Sequence, residues 1–258
     1  MSKVDPIIEL HPWLALPSGK ALLDWEQDQI DRLVADIFGF HAVQLGLPEL
    51  DGLRANRMPH QWRLLDGSYH PGDLSTNAAA LYCDFGALPY PNHSLDLVVL
   101  PHALELAHDP HAVLREVERV LVPEGRVVII GFNPFSLWGL WQGLGRWGVK
   151  SATVLPQGEF ISYWRLRDWL RLLNLDVESG CFGCYRPMVP TDRAWRRLRW
   201  LERAGVRWWP VLGAVYCVVA VKRARGLRLI GKVKRTRVAS SAAPAVVAQR
   251  HVQQDQIG

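Results

Sequence analysis

Ionisable side chains stand directly after segments that are predicted to be strands. His102 and Glu105 follow the run Leu95–Leu100, and Asp66 follows the shorter run Trp62–Leu65. Open α/β sheets bind ligands at the carboxyl ends of their strands, so these side chains are candidates for contact with a cofactor or substrate. His102 is the candidate catalytic residue, and a purely structural histidine is the alternative interpretation.

Asp66 has the chemistry and the spacing of a ribose-binding carboxylate. It follows Gly46 by about the twenty residues that separate the glycine loop from the ribose acid in nucleotide-binding units. A carboxylate accepts hydrogen bonds from both hydroxyls of a ribose. Asp66 and Gly67 also form a common turn pair, so a turn role remains open beside the binding role.

Two short apolar runs with a helix between them predict a strand–helix–strand unit. Leu95–Leu100 and Val127–Phe132 are rich in Val, Ile and Leu, which is typical of strands buried on both faces in a parallel sheet. Between the runs, Asp109 suits the N-cap of a helix and Pro110 its first position. Pro123–Gly125 predicts a turn into the second strand.

The remaining elements follow from periodicity and turn signals. Helices are predicted at Leu22–Phe38 and Ser162–Leu173, with an arginine-rich helix at Thr191–Ala204. The other predicted strands are His41–Leu47, Trp62–Leu65 and Leu81–Phe85, followed by a terminal antiparallel pair, Asp176–Tyr185 and Ala214–Val221.

The order of these segments resembles the class I S-adenosylmethionine-dependent methyltransferases, and within them the small-molecule branch called type 11. The resemblance lies in an acidic residue followed by LPYP, LDLVVL, HALEL, LREVERVL, PEG and RVVIIGFNP. It implies a Rossmann-like α/β fold, with a mostly parallel seven-stranded sheet and helices on both faces. It also implies S-adenosyl-L-methionine as the cofactor.

The resemblance assigns cofactor contacts to residues at the strand ends. It places Gly46 in the loop after the first strand, Asp66 on the ribose, Asp84 on the adenine amino group and Phe85 against the adenine ring. Pro101, after the fourth strand, joins this set. A carboxylate accepts from an exocyclic N–H and an aromatic face supplies stacking, so these roles are chemically sensible. For Asp84 the alternative is a strand-end acid that faces solvent.

The loop after the first strand departs from the family's pattern. Gln44 takes the position of the family's acidic residue, and Pro48 and Leu50 fall where further glycines are expected. Proline removes an N–H and fixes φ, so the loop cannot follow the usual path unchanged. Either the cofactor pocket is reshaped or the protein has lost the cofactor.

A segment rich in tryptophan and glycine, residues 133–158, reads as an insertion after the fifth strand. It contains Trp138, Trp141 and Trp147. Three interpretations remain open: a packing segment buried in the core, an apolar lid over the acceptor site from Phe135 to Trp147, and a membrane-surface contact.

Positive charge is concentrated late in a chain of net charge +5. Between Arg186 and Arg237 the acids are Asp192 and Glu202. Residues 225–258 predict a basic, disordered tail. The basic C-terminal part could also bind RNA or an anionic membrane surface electrostatically.

These signals divide the chain into an N-terminal helical extension at 1–39, a methyltransferase-like domain at 40–224 and the tail. No secretory signal is evident, and the longest apolar run, Val211–Val221, is too short for a membrane helix, so a cytoplasmic protein is expected. Cys181 and Cys184 form a single CxxC without a second pair at zinc spacing, so no metal site is predicted.

The leading hypothesis is S-adenosylmethionine-dependent methyl transfer to a small or medium-sized acceptor. The rival is a catalytically degenerate methyltransferase-fold binding module that binds RNA through its arginine-rich C-terminal part. The sequence feature that distinguishes these two hypotheses is the loop after the first strand. The sequence does not specify the acceptor or the oligomeric state.

Overall fold

The computed structural model describes residues 13–67, 80–140, 160–187, 197–198 and 200–224. Its helices are α1 (Pro17–Val34), α2 (Ala103–Leu106), α3 (Pro110–Val120), α4 (Tyr163–Leu172) and α5 (Trp200–Trp208). Its strands are β1 (His41–Leu45), β2 (His60–Leu65), β3 (Ala80–Tyr82), β4 (Leu95–Pro101), β5 (Leu121–Phe132), β6 (Leu175–Gly183) and β7 (Val215–Lys222). The predicted tail at 225–258 and residues 68–79 lie outside the described residues.

The strands form one seven-stranded sheet in the order β3-β2-β1-β4-β5-β7-β6. All pairs from β3 to β5 are parallel, whereas β7 runs antiparallel to both β5 and β6. This confirms the predicted Rossmann-like, mostly parallel fold and its terminal antiparallel pair. The chain builds outward from β1 to β3 and then restarts at β4 on the other side of β1. The gap between β1 and β4 is therefore the topological switch point, where such sheets bind ligands.

Both faces of the sheet are covered, because side chains of a strand alternate between its two faces. Val128 and Ile130 of β5 belong to the apolar cluster that contains Leu22 and Ile30 of α1. Val127 and Ile129 belong to the second cluster, with the buried residues of α3 and α4, among them Val113, Val117, Leu166 and Leu170. Burial of β5 on both faces therefore explains the apolar run from which this strand was predicted.

Several element boundaries differ from the predicted ones. Helix α1 begins at Pro17 and ends at Val34 rather than spanning Leu22–Phe38. The predicted turn at Pro123–Gly125 is absent, because β5 runs on from Leu121 with Glu124 at a φ of 64°. One residue with positive φ lets the strand bulge instead of stopping. The arginine-rich helix continues past Ala204 to Trp208, just before the helix-ending Pro210.

The capping prediction for α3 is confirmed. The Asp109 carboxylate accepts hydrogen bonds from His111 N at 2.9 Å and Ala112 N at 3.1 Å. Pro110 occupies the start of the helix, where its missing N–H leaves no bond unmade. The cap fixes the point at which the chain turns back after the end of β4.

The connection from β1 to β2 contains turns and no helix across residues 46–59. Strand β1 ends where Gly46 and Leu47 adopt positive φ values of 78° and 39°. Leu47, Leu50 and Leu53 are buried in the same apolar cluster as α1. The leucines of this connection thus cover the part of the sheet that a crossover helix would otherwise cover.

Candidate functional site

The ends of three strands meet at the switch point around Gly46. A Cβ on Gly46 would lie 3.7 Å from the Phe85 ring and 3.8 Å from the Ala103 Cβ. The Gly46 N–H donates to the Leu64 carbonyl at 2.8 Å, which ties the turn to β2. The structure therefore brings together Gly46 and Phe85, two residues that the sequence assigned to one site from positions 39 apart.

The Gln44 side chain organises the loop that follows β1. Its Nε2 donates to the carbonyl oxygens of Gly46 and Leu47, each at 3.1 Å, and of Leu50 at 2.9 Å. Its Oε1 accepts from the Gly52 N–H at 2.8 Å. An amide both donates and accepts, whereas a carboxylate only accepts, so glutamate could not make this set of bonds. The departure from the family's acidic residue is thus a requirement of this loop's conformation.

The other departures also serve the loop's packing. Leu50, in a position where glycine was expected, is 1% exposed and lies in the core. Pro48 is partly exposed and Glu49 is exposed, so the loop turns its apolar residues inward and its polar residue outward. The loop therefore has a defined conformation of its own, which these buried contacts stabilise, and it is not a disrupted form of the glycine-rich loop.

Asp66 and Asp84 lie at the same edge of the sheet. They follow β2 and β3, which are parallel neighbours with Leu65 paired to Tyr82. Asp84 is exposed, and its Oδ1 accepts from the Gly86 N–H at 2.8 Å. This bond holds the turn after β3 and orients the carboxylate at the edge where the sequence predicts the adenine contact.

A buried ionic network lies next to this edge. The His102 ring contacts Glu26 Oε1 through Nε2 at 2.7 Å and Glu105 Oε2 through Nδ1 at 2.8 Å. All three side chains are almost fully buried, with residue exposures of 1% for His102, 0% for Glu26 and 7% for Glu105. Both ring nitrogens are engaged, so His102 presents no nitrogen to an acceptor in this arrangement.

The network changes how its members bind protons. Burial alone would lower the pKa of His102, but the charge of Glu26 and the hydrogen bonds that the ring donates to Glu105 and Glu26 raise it to about 10. Burial raises the pKa of Glu105 above its usual value. The two carboxylates also repel each other, so the charge of Glu26 adds to the rise in the pKa of Glu105.

Sequence reasoning missed Glu26, although a signal for it is present. Glu26 occupies the buried stripe of α1 between Leu22 and Ile30, at steps of four residues. An acid on an apolar stripe needs a buried partner. Its Oε1 has that partner in His102, whereas its Oε2 has no hydrogen-bond partner within the described part of the chain.

The His102 backbone is as constrained as its ring. Its φ of 53° is unusual for a residue other than glycine, and its N–H donates to the Ile130 carbonyl at 3.0 Å. The ring stacks on Phe132 with centroids 4.2 Å apart. The Phe132 N–H in turn donates to Glu105 Oε1. The turn after β4 is therefore held rigidly against the end of β5.

A pocket of about 480 Å³ opens between α1, α5 and the segment after β6. Trp25 of α1 forms one wall, and its ring lies so close to Gly183 that a Cβ there would be 2.1 Å from it. Helix α5 contributes Arg203 and Val206 to the lining. The remaining lining residues are Ala21, Cys184, Arg186 and Glu202.

Trp138, in the described start of the tryptophan-rich segment, packs in the core. Trp138 is 1% exposed, and its Nε1 donates to the Arg186 carbonyl at 2.6 Å. Its ring meets Trp13 edge-on at 5.5 Å between centroids. Trp141 and Trp147, with most of the predicted lid, lie outside the described residues.

The described residues show neither a cluster of metal ligands nor a helix able to cross a membrane. They contain no group of three or more His, Cys, Asp or Glu side chains arranged to hold a metal ion. None of the described helices has the length and apolarity needed to cross a membrane.

The relatives of this chain include methyltransferases and a protein without a named activity. A family model described as a methyltransferase domain matches residues 69–129. The uncharacterized protein YafS of Escherichia coli is 32% identical over 166 residues, which cover 64% of this chain and 65% of YafS. The malonyl-[acyl-carrier protein] O-methyltransferase of Halorhodospira halophila is 43% identical over 65 residues, 24% of this chain and 22% of that enzyme.

Solved structures agree on the fold. A SAM-dependent methyltransferase from Archaeoglobus fulgidus superposes with a TM-score of 0.54 at 16% sequence identity, over 78% of this chain and 94% of that one. The chain thus spans nearly the whole of this neighbour but about two thirds or less of the named relatives.

Proposed function

We propose that this chain is a class I S-adenosylmethionine-dependent methyltransferase, which takes S-adenosyl-L-methionine as its cofactor and transfers a methyl group from it to a small or medium-sized acceptor. The observation that carries the proposal is the meeting of Gly46, Phe85 and Ala103 at the switch point between β1 and β4. This is where a sheet of this order binds its ligand.

The residues at this edge fit the donor. Gly46 lacks a Cβ, which leaves room beside the Phe85 ring for a ligand to approach the backbone closely. Phe85 would pack on the adenine ring, Asp84 would accept from the adenine amino group and Asp66 would bind the ribose hydroxyls. Pro101, buried at the end of β4, completes the proposed donor site.

The donor supplies a methyl group on a positively charged sulfonium, which is already a strong electrophile. The protein's part is to orient the two reactants and to exclude water. Glu26 suits a cationic ligand, because its Oε2 is buried and lacks a partner within the described residues. His102 acts as a positioning residue, since both of its nitrogens hold carboxylates and fix the turn after β4.

We assign the acceptor to the pocket between α1 and α5. Its volume of about 480 Å³ is in the usual range for small-molecule sites. Trp25 and Val206 offer apolar walls, and Arg203 offers a positive group at the rim. An acceptor with an apolar body and a polar or anionic end fits these walls.

Calorimetric titration of S-adenosylmethionine tests the donor site. Asp84→Ala should weaken binding by roughly 1–3 kcal/mol, the usual effect of leaving a polar partner unpaired. Asp84→Asn keeps one acceptor oxygen and should lose less. Asp24→Ala, an exposed acid on α1, is the matched control and should bind as the wild type does. Wild-type protein without binding heat at millimolar donor would instead support the degenerate binding module.

Transfer of label from methyl-tritiated donor to small molecules of a cell extract tests the reaction. Arg203→Ala should lower the rate of label transfer while leaving the donor's Kd unchanged, because Arg203 lines the assigned acceptor pocket and not the donor site. Donor binding with no transfer to any acceptor would contradict the enzymatic proposal. A change in donor Kd in this variant would contradict the assignment of the pocket.

A further inference from the structure

Helix α5 and the turn after it form a surface with many exposed, large apolar side chains. We name it the α5 surface. Its large apolar side chains are Trp200, Val206, Trp208, Trp209, Val211 and Leu212, which are 42–70% exposed. Contiguous exposed apolar residues of this size mark sites of contact with a partner or a membrane.

The scaffold beneath this surface is rigid. Gly205 faces inward, where a Cβ would be 2.2 Å from the Tyr185 ring, so only glycine fits. Glu202, on the same inner side of α5, pairs with Arg186 at 3.0 Å and accepts from the Tyr185 N–H at 3.2 Å. These contacts fix the rotation of α5 and turn its tryptophans outward.

The turn after α5 is fixed as well. The Tyr185 hydroxyl donates to the Pro210 carbonyl at 2.7 Å, and Asn133 Nδ2 donates to the carbonyls of Val211 and Gly213 at 2.8 and 2.9 Å. Trp209, Val211 and Leu212 therefore stay exposed on an ordered turn. Their exposure is a property of the fold and not of a loose segment.

The charges on the α5 surface are positive. Arg203 and Arg207 are exposed among the tryptophans, and Arg197 is exposed one turn before the helix. Glu202, the acid of α5, is engaged by Arg186 on the inner side. Arginine attracts anionic headgroups, and tryptophan prefers the boundary between headgroups and hydrocarbon.

We propose that the α5 surface binds the face of an anionic phospholipid bilayer. The aliphatic side chains decide between a bilayer and RNA. Tryptophan and arginine would serve either partner, but Val206, Val211 and Leu212 gain only from burial in an apolar phase. The surface is thus an amphipathic element that lies in the membrane interface, with its tryptophans towards the acyl chains and its arginines at the phosphates.

The same surface adjoins the assigned acceptor pocket, and this step rests on the proposed function. Arg203 and Val206 belong both to the α5 surface and to the pocket wall. With the surface on a bilayer, the pocket opens towards the headgroup layer. The acceptor class that this geometry supplies is an amphipathic molecule taken from the membrane.

Vesicle co-sedimentation of the full chain tests the proposal. The wild type should sediment with vesicles of phosphatidylcholine and phosphatidylglycerol, and less with phosphatidylcholine alone or at high salt, where screening weakens the arginines. Trp208→Ser with Trp209→Ser should lower partitioning by roughly tenfold or more, because apolar burial drives interfacial binding. The matched control is Trp164→Ser with Leu172→Ser, two exposed residues of α4, which packs with the other apolar cluster.

Several outcomes would overturn the proposal. Failure of the wild type to bind anionic vesicles is one such outcome, and binding of the double tryptophan variant at the wild-type level is another. Equal loss in the α4 control would also refute it. Binding to polyuridine but not to vesicles would make the surface a nucleic-acid site, and a dimer lost in the double variant would make it a subunit contact. Donor binding by calorimetry is independent of all these results, so it separates failure here from failure of the proposed function.

Discussion

Glu26 and His102 are 76 positions apart in sequence, and their carboxylate and ring nitrogen lie 2.7 Å apart in the interior. The contact joins α1, which precedes the sheet, to the turn after its central strand β4. This ion pair holds α1 against the edge of the sheet where the donor is proposed to bind.

Glu26→Ala should destabilise the protein by about 3–5 kcal/mol, since it breaks a buried ion pair and leaves Nε2 of His102 buried without its partner. Denaturant unfolding followed by fluorescence measures the change. Asp24→Ala, on the exposed side of the same helix, should alter stability by no more than about 0.5 kcal/mol. Similar unfolding midpoints for the two variants would show that the buried pair contributes nothing to folding.

His102 should make the protein less stable as pH rises through neutral and basic values. Its folded pKa of about 10 lies above the value of about 6.5 expected in the unfolded chain. The stabilisation is therefore complete below the unfolded pKa and is lost between the two values as the folded ring deprotonates. The raised pKa of Glu105 also makes the protein less stable as pH rises, and this loss of stability begins at lower pH.

The measurement is the denaturant midpoint of wild type and of His102→Gln as a function of pH. The difference between the two isolates the ring, because buried thiols and phenols with raised pKa values, such as Cys184 and Tyr216, titrate in both proteins. A wild-type midpoint that stays level relative to the variant over this window would contradict the prediction.

Gln44→Glu should destabilise the protein by roughly 3 kcal/mol or more, because a buried carboxylate would face several carbonyl oxygens with no hydrogen to donate. Gln61→Glu is the matched control. Gln61 Nε2 also donates to two carbonyls, of Asn56 and Met58, but its residue is exposed, so water can replace those bonds. Thermal melting compares the variants, and an equal loss in both would refute the special role of the buried amide.

Trp138→Ala should cost about 3–5 kcal/mol, as expected when a large buried aromatic residue is removed from a core. Phe135→Ala, three residues earlier and 63% exposed at that position, should cost far less. Calorimetric melting of both variants tests the assignment. A Trp138→Ala protein that melts with the wild type would return Trp138 to the lid hypothesis and remove it from the core.

The sequence determined the fold and the chain positions of the site, because both depend on local signals. Apolar runs marked the buried strands, Asp109 and Pro110 marked the start of α3, and the carboxyl ends of the strands pointed to Asp84 and His102. Each of these signals spans a few neighbouring residues, so a periodicity or a cap can be recognised without knowing what packs against it.

Only the tertiary structure decided what these residues contact. The residues next to His102 in sequence do not indicate that Glu26 contacts its second ring nitrogen. Likewise, the residues around Gln44 do not indicate that its amide bonds to four backbone groups of the following loop. The same holds for Gly205, whose missing side chain lets α5 rest on Tyr185 with its tryptophans outward. Such relations join segments distant in the chain, and their energy comes from burial and pairing that exist only once the sheet has assembled.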